Sequence, residues 1–212
     1  MALAPSPAHT PPALEPAPLQ LPEDLRLTPE QFEQVCQANP EAVLELAANG
    51  RVLHMTPAGS ETSNRNSRLS MRLLLWADQR GGWMVFDSSG GFLLPDGSVL
   101  SPDASLVREE RWRALTAAER RGFAPLCPDL VVELASPSND GLQNSNALRH
   151  KMDLYQANGA RLGWLLLPQE RAVEIWREGQ QGRAERLENA TRLDGGELAE
   201  GLGLDLEELW AV

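Results

Sequence analysis

The chain has 212 residues, 42% hydrophobic and 23% charged, enough for one domain of ordinary size with a proper core and not the profile of a disordered polymer. Its formal net charge of −11 argues against non-specific phosphate binding, which rests on Lys and Arg neutralising phosphates, although bound cations would cancel part of a local acidic charge. Cys36 and Cys127 stand far apart without metal-ligand neighbours, no apolar run reaches membrane length, and the N-terminus lacks a basic stretch followed by an apolar one; a cytoplasmic protein with reduced thiols is expected.

Residues 1 to 22, MALAPSPAHTPPALEPAPLQLP, are rich in Ala and Pro and read as a flexible or polyproline-like tail, leaving 23 to 212 as a single domain. Thr28 reads as an N-cap with Pro29 at the first helical position, so TPEQFEQVCQAN is a short helix. AVLELAANGRVLHM then reads as a hairpin turned at Asn49-Gly50. From Glu61 to Arg80, Leu69, Leu73 and Trp76 recur at helical spacing, and Gly81-Gly82 closes the helix. WMVFDSS, GFLLPDG and DASLV are short strands separated by turn residues, and REERWRALTAAERRGF is a polar, helix-prone excursion off the sheet.

LVVELAS, apolar apart from its glutamate, predicts a central strand covered on both faces. SPSNDGLQNSN forms a loop into the helix LRHKMDLYQAN, which Gly159 stops. RLGWLLL is a second buried strand, PQER a turn and AVEIWRE an outer strand; short strands and turns follow to LDLEELW. The fold class is therefore α/β (or α+β), a mixed sheet flanked by helices with an N-terminal hairpin. The order is not a regular βαβ alternation, and no glycine fingerprint for a dinucleotide or a phosphate loop is present.

The chemistry gathers in two echoing stretches, SPDASLV and PDLVVELAS. A buried lone carboxylate is costly unless paired, hydrogen-bonded or metal-bound. Alternation along the second stretch sets Leu130, Val132 and Leu134 on one face and Asp129, Val131 and Glu133 on the other. Glu133 falls near the C-terminal end of its strand, where α/β proteins commonly place their sites. Asp103 precedes its own apolar run, and neighbouring strands would bring it close to Glu133. Two converging carboxylates suit a hard cation, Mg²⁺ or Mn²⁺. The plainer possibilities are a Glu133 that faces solvent or pairs with an arginine, and an Asp103 that starts a turn. Asp129 reads as a structural cap at the strand entry. His54 and His150 are isolated and no nucleophilic serine elbow is evident, so acyl transfer is unsupported.

Taken together, LELAANGRVLHMTPAGSETSNRNSRL, FDSSGGFLLPDGSVLSPDAS, PDLVVELASPS, the helix holding KMDLY, NGARLGWLLLP and RAVEIWR resemble the Uma-type restriction endonucleases of the PD-(D/E)XK nuclease superfamily, over about residues 30 to 210. The resemblance implies a restriction-endonuclease-like core and a Mg²⁺- or Mn²⁺-dependent endonuclease acting on DNA. Its metal would be held by Asp103 and Glu133. The superfamily lysine, two residues after the glutamate, is replaced here by Ala135. The family implies that its place is taken from the following helix by Lys151, the only lysine in a chain whose other basic side chains are arginine; a solvated helix lysine is the bland counterpart. Glu61 is a third candidate carboxylate by resemblance, against simple helix-dipole stabilisation, and the Glu-His of many relatives is Glu61-Thr62 here. Glu45 also matches a family position. Tyr155 lies one helical turn after Lys151 on the same face. A homodimer is plausible, because cutting both strands of a duplex calls for two sites related by a two-fold axis. The other readings are an inactive nuclease fold kept as a DNA- or protein-interaction module, and a structural or assembly subunit.

Overall fold

The computed structural model describes residues 19–55, 58–136, 142–180 and 182–211, the side chains of 142–144 excepted. Most of the expected tail, and Pro137 and Ser138 of the loop after LVVELAS, lie outside the described residues. Thr28 caps α1 (Pro29–Ala38) through a capping box: its hydroxyl accepts from the Gln31 amide while the Gln31 side chain accepts from the Thr28 amide. The hairpin β1 (Leu44–Leu46) and β2 (Val52–His54) turns at Asn49-Gly50, where Gly50 has φ +79° and a Cβ would stand 2.8 Å from the Leu27 carbonyl oxygen.

Helix α2 (Ser60–Arg80) follows, one residue longer at its start than the spacing predicts. Then come β3 (Trp83–Asp87), β4 (Phe92–Leu93), β5 (Val99–Leu100) and β6 (Ala104–Arg108). The polar excursion is helical only over α3 (Glu109–Ala114), because a capping pair between Thr116 and Glu119 starts a separate turn. β7 (Leu130–Leu134) is buried throughout. α4 (Leu142–Ala157) begins earlier than LRHKMDLYQAN, since part of the stretch expected as loop is helical. β8 (Leu162–Leu167), β9 (Ala172–Arg177), β10 (Glu185–Glu188), β11 (Arg192–Asp194), β12 (Gly203–Asp205) and α5 (Glu207–Trp210) complete the chain.

The main sheet runs β10-β9-β8-β7-β6-β3, with β7 and β8 parallel and every other pair antiparallel. Parallel neighbours need a crossover, and α4 supplies it. AVEIWRE is not an outer strand: β9 is covered on its far side by β10, whose pairing brings Arg186 opposite Glu174. A second sheet, β2-β1-β5-β4, stands beside the first, and β11-β12 form a small ribbon.

β7 separates two cores by alternation. Leu130, Val132 and Leu134 join Leu69, Leu73 and Ala77 of α2, whose i, i+4 spacing makes the buried stripe. Val131 joins Met152 and Tyr155 of α4 on the other face. Gly163 of β8 lets α4 approach, since a Cβ there would meet the Met152 methyl. A third cluster, around Phe32, Leu44, Leu46 and Val99, ties α1 to the hairpin and takes in Leu19 and Leu27.

Candidate active site

Glu133 emerges from β7 on the α4 face, where its strand neighbour Val131 is fully buried and Glu133 itself is 3% exposed. Burial is the main reason its carboxyl is pushed up to about 8; Lys151 draws it down and the Asp103 and Glu45 carboxylates push it up again. Lys151 reaches across from α4 and sets its ammonium 2.8 Å from Glu133 Oε1 and 2.8 Å from Glu45 Oε1. Burial alone would strip its proton, but those two carboxylates more than offset this and hold the amine charged, above its ordinary range. One ammonium thus faces Glu45, Asp103 and Glu133. The net negative balance explains how the lysine stays protonated while Glu133 still resists ionisation.

The Ser101 peptide is gripped at both ends of this pair: its amide donates to Glu45 Oε1 at 2.9 Å, and its carbonyl accepts from Lys151 Nζ at 3.1 Å. That grip fixes the Ser101-Pro102-Asp103 link between β5 of the small sheet and β6 of the large one. The β6–β7 register pairs Ala104 with Val132, so one residue further it sets Asp103 beside Glu133. Asp103 Oδ2 accepts from the Leu134 amide at 2.7 Å, and Oδ1 accepts from Asn66 Nδ2 of α2 at 2.9 Å. Burial raises its carboxyl above the ordinary range, opposed by the Leu134 amide, Lys151 and Asn66. The Tyr155 hydroxyl, fully buried, donates to Glu133 Oε1 at 3.3 Å. Its own proton is held well above the usual phenol range, first by burial and then by Glu133.

The structure therefore gathers Asp103, Glu133 and Lys151, and adds Glu45. It does not bring Glu61 to them: that side chain is half exposed in the first turn of α2 and pairs with Arg65 at 3.0 Å. The next residue, Thr62, is the one that points inward, its hydroxyl donating to Ser136 Oγ at the end of β7 at 3.1 Å. Asp129 is structural, taking the Arg108 amide and the Arg111 guanidinium on Oδ2, each at 2.8 Å. Cys127 is buried with its thiol pushed up to about 12, so it is inert. Sequence reasoning missed Asn66 altogether. Nothing in SNRNS separates it from Asn64, and only the helix phase turns it toward Asp103. Glu45, matched to a family position, carries a signal of its own in the sequence: it is a glutamate set between leucines in a strand.

Asp103 and Glu133 present the all-oxygen donors that a small hard cation takes, and such an ion keeps water or substrate oxygens at its other positions. Among the described residues no group of three or more His, Cys, Asp or Glu side chains is placed to hold an ion. The chain offers a carboxylate pair, not a closed cage. Asn66 Oδ1, on the other branch of the amide whose nitrogen donates to Asp103, is buried with no hydrogen-bond partner among the described residues. The donor chemistry fits Mg²⁺ or Mn²⁺. On the other side of Lys151 and Glu45 opens a cleft of about 1020 Å³, lined also by Arg26, Arg51, His54 and His150.

The Uma2 family model, described as "putative restriction endonuclease", matches residues 29–209. No match was found among curated proteins. Among solved structures, a putative nuclease belonging to DUF820 from Anabaena variabilis ATCC 29413 superposes with a TM-score of 0.67 at 18% identity, covering 87% of this chain and 98% of that one. At that identity the likeness speaks for the fold. No helix among the described residues is long and apolar enough to cross a membrane.

Proposed function

This chain belongs to the Uma2 family, and on that premise we propose that it is a metal-dependent endonuclease hydrolysing phosphodiester bonds of DNA. The observation that carries the proposal is the buried Glu133–Lys151–Glu45 arrangement at 2.8 Å with Asp103 beside it. A buried charge cluster is expensive to maintain for stability alone, and strongly shifted ionisable groups gather at functional sites.

In this reading Asp103 and Glu133 hold the ion. When bound, Mg²⁺ or Mn²⁺ supplies a Lewis acid for the phosphoryl oxygen and lowers the pKa of a coordinated water. The chain's own part is positioning and charge. The Leu134 amide and Asn66 fix the Asp103 carboxylate in one orientation. Lys151 is a point charge kept on by two carboxylates, available to stabilise negative charge building on the phosphate. Tyr155 holds Glu133 from behind. Arg26 and Arg51 line the adjoining cleft together with Glu23 and Glu45, and the two guanidiniums offer positive charge to the phosphate backbone of the substrate. Glu61, paired with Arg65, is given no direct part.

The competing reading, a nuclease fold kept as a DNA- or protein-interaction module, draws on one observation: Lys151 already neutralises part of the carboxylate charge, as a structural ion pair would. One titration separates them. Mn²⁺ added to the folded chain should raise its melting temperature by mass action, and plasmid DNA should be nicked or cut only in its presence. Glu133→Ala should abolish cleavage while the protein stays folded. Absence of both cleavage and cation-dependent stabilisation across several substrates overturns the enzyme.

A further inference from the structure

We propose that the outward face of α2 is the contact through which two copies of this chain pair about a two-fold axis. Large apolar side chains exposed among the described residues fall in two places. Val43 and Met55 adjoin across the hairpin edge, while Met71, Leu74 and Leu75 lie within two turns of α2 and are 48%, 49% and 49% exposed. Singly scattered exposed leucines need no explanation, whereas three that share one helix face form a patch that water covers at a cost. At 100° per residue they sit opposite Leu69, Leu73 and Ala77, the stripe that α2 buries against the sheet. α5 packs against the flank through Arg72–Glu208, so it leaves that face open.

The charges around the patch name the occupant. Arg68 stands one turn before Met71 on the same face and Asp78 one turn after Leu74, both exposed. The Asp78 side chain makes no hydrogen bond or ion pair among the described residues, and the Arg68 guanidinium holds only the amide oxygen of its helix neighbour Asn64. If a second α2 lies antiparallel across the outward face, with the axis at the level of residue 73 along the helix, Met71 meets the partner's Leu75. The same axis sets Arg68 against the partner's Asp78. Two independent pairings, one apolar and one ionic, therefore share a single centre, which is the self-complementarity an isologous interface requires. A parallel arrangement would face arginine with arginine. Two such stripes reach only the lower end of the area of a specific interface, so the dimer should be concentration-dependent.

The inference rests on none of the chemistry at Asp103 and Glu133, and its readout is mass, so it fails or stands apart from the nuclease. Sedimentation equilibrium of the full chain should show a dimer that dissociates on dilution. A chain monomeric up to hundreds of micromolar overturns the proposal and leaves the stripe to a different protein; growth beyond two copies overturns the closed two-fold. Leu75→Glu should be monomeric with an unchanged thermal melt, because the position is exposed, and a native melt with dimer mass retained overturns the surface. Asp78→Arg should weaken association at least tenfold, and Arg68→Asp added to it should restore the parent mass profile. Failure of that exchange to restore pairing overturns the antiparallel register.

Discussion

Lys151 stands between two buried carboxylates, and taking it away leaves both without a counter-charge. Breaking a buried pair from one side costs about 3–5 kcal/mol, much of it the penalty on the partner left behind. Lys151→Met should therefore lower the melting temperature sharply, and Glu133→Gln added to it should recover a good part of the loss. If the double variant melts no higher than the single, the ammonium is not what the carboxylates depend on. Asn66 acts on Asp103 alone. Asn66→Ala removes one hydrogen bond to a charged acceptor, worth about 1.5–3 kcal/mol. It should also shrink the Mn²⁺-induced rise in melting temperature, because Asp103 loses one of the two contacts that orient it. Equal cation-induced shifts in parent and variant would show that Asn66 has no bearing on the ion.

At the scale of elements, the site depends on how β9, β10 and α4 are joined. Glu174 of β9 is buried and takes both Arg149 of α4, at 2.7 Å, and Arg186 of β10, at 2.9 Å. Burial pushes its carboxyl up, but the two guanidiniums prevail and hold it below its ordinary value. A carboxylate with a lowered folded pKa contributes stability that is complete above the unfolded value of 4.5 and is lost as pH falls through the folded one. Acid melts should show Glu174→Gln losing less stability than the parent between neutral pH and pH values below 4.5; identical pH profiles would contradict the assignment. On the opposite face, Leu73 is wholly buried between α2 and the sheet. Leu73→Ala should cost about 2–5 kcal/mol through the cavity it leaves, measured by denaturant unfolding.

Over the whole molecule, the net charge of −11 repels a polyanion, and that repulsion acts at long range. Duplex DNA should show no binding at micromolar protein in a chelator, by fluorescence anisotropy. Binding should appear on adding Ca²⁺, a hard cation that takes carboxylate oxygens. Tight binding in chelator that weakens steeply with salt would mean that a basic surface, not a cation, makes the contact.

How much of this was legible beforehand follows from the range of the forces involved. Capping at Thr28, the Asn49-Gly50 turn, the α2 stripe and the two-faced reading of LVVEL depend on residues a few positions apart, and each was readable because side-chain direction is set by local backbone geometry. The strand pattern offered Asp103 and Glu133, the family resemblance added Lys151, and the chain's membership in Uma2 agrees with the family named from those motifs. The place of β9 inside the sheet was not readable, because an edge is defined by what pairs beyond it. The length of α3 belongs with the local signals, because a Thr116–Glu119 cap between residues three positions apart cuts the helix-prone stretch short.

The same division holds at the site. By itself the sequence determined that carboxylates lie within apolar strands, that one lysine exists, and that something must compensate the buried charge. Only the tertiary structure decided which partners do so. Glu45 of β1 and the Ser101 link reach Lys151, Asn66 of α2 reaches Asp103, and Tyr155 of α4 reaches Glu133, across separations of 22 to 106 residues. No short-range pattern specifies a contact that depends on the β6–β7 register and the phase of two helices at once. That is why Glu61 stood as a catalytic candidate ahead of Glu45, and the fold turned the first outward and the second onto the lysine.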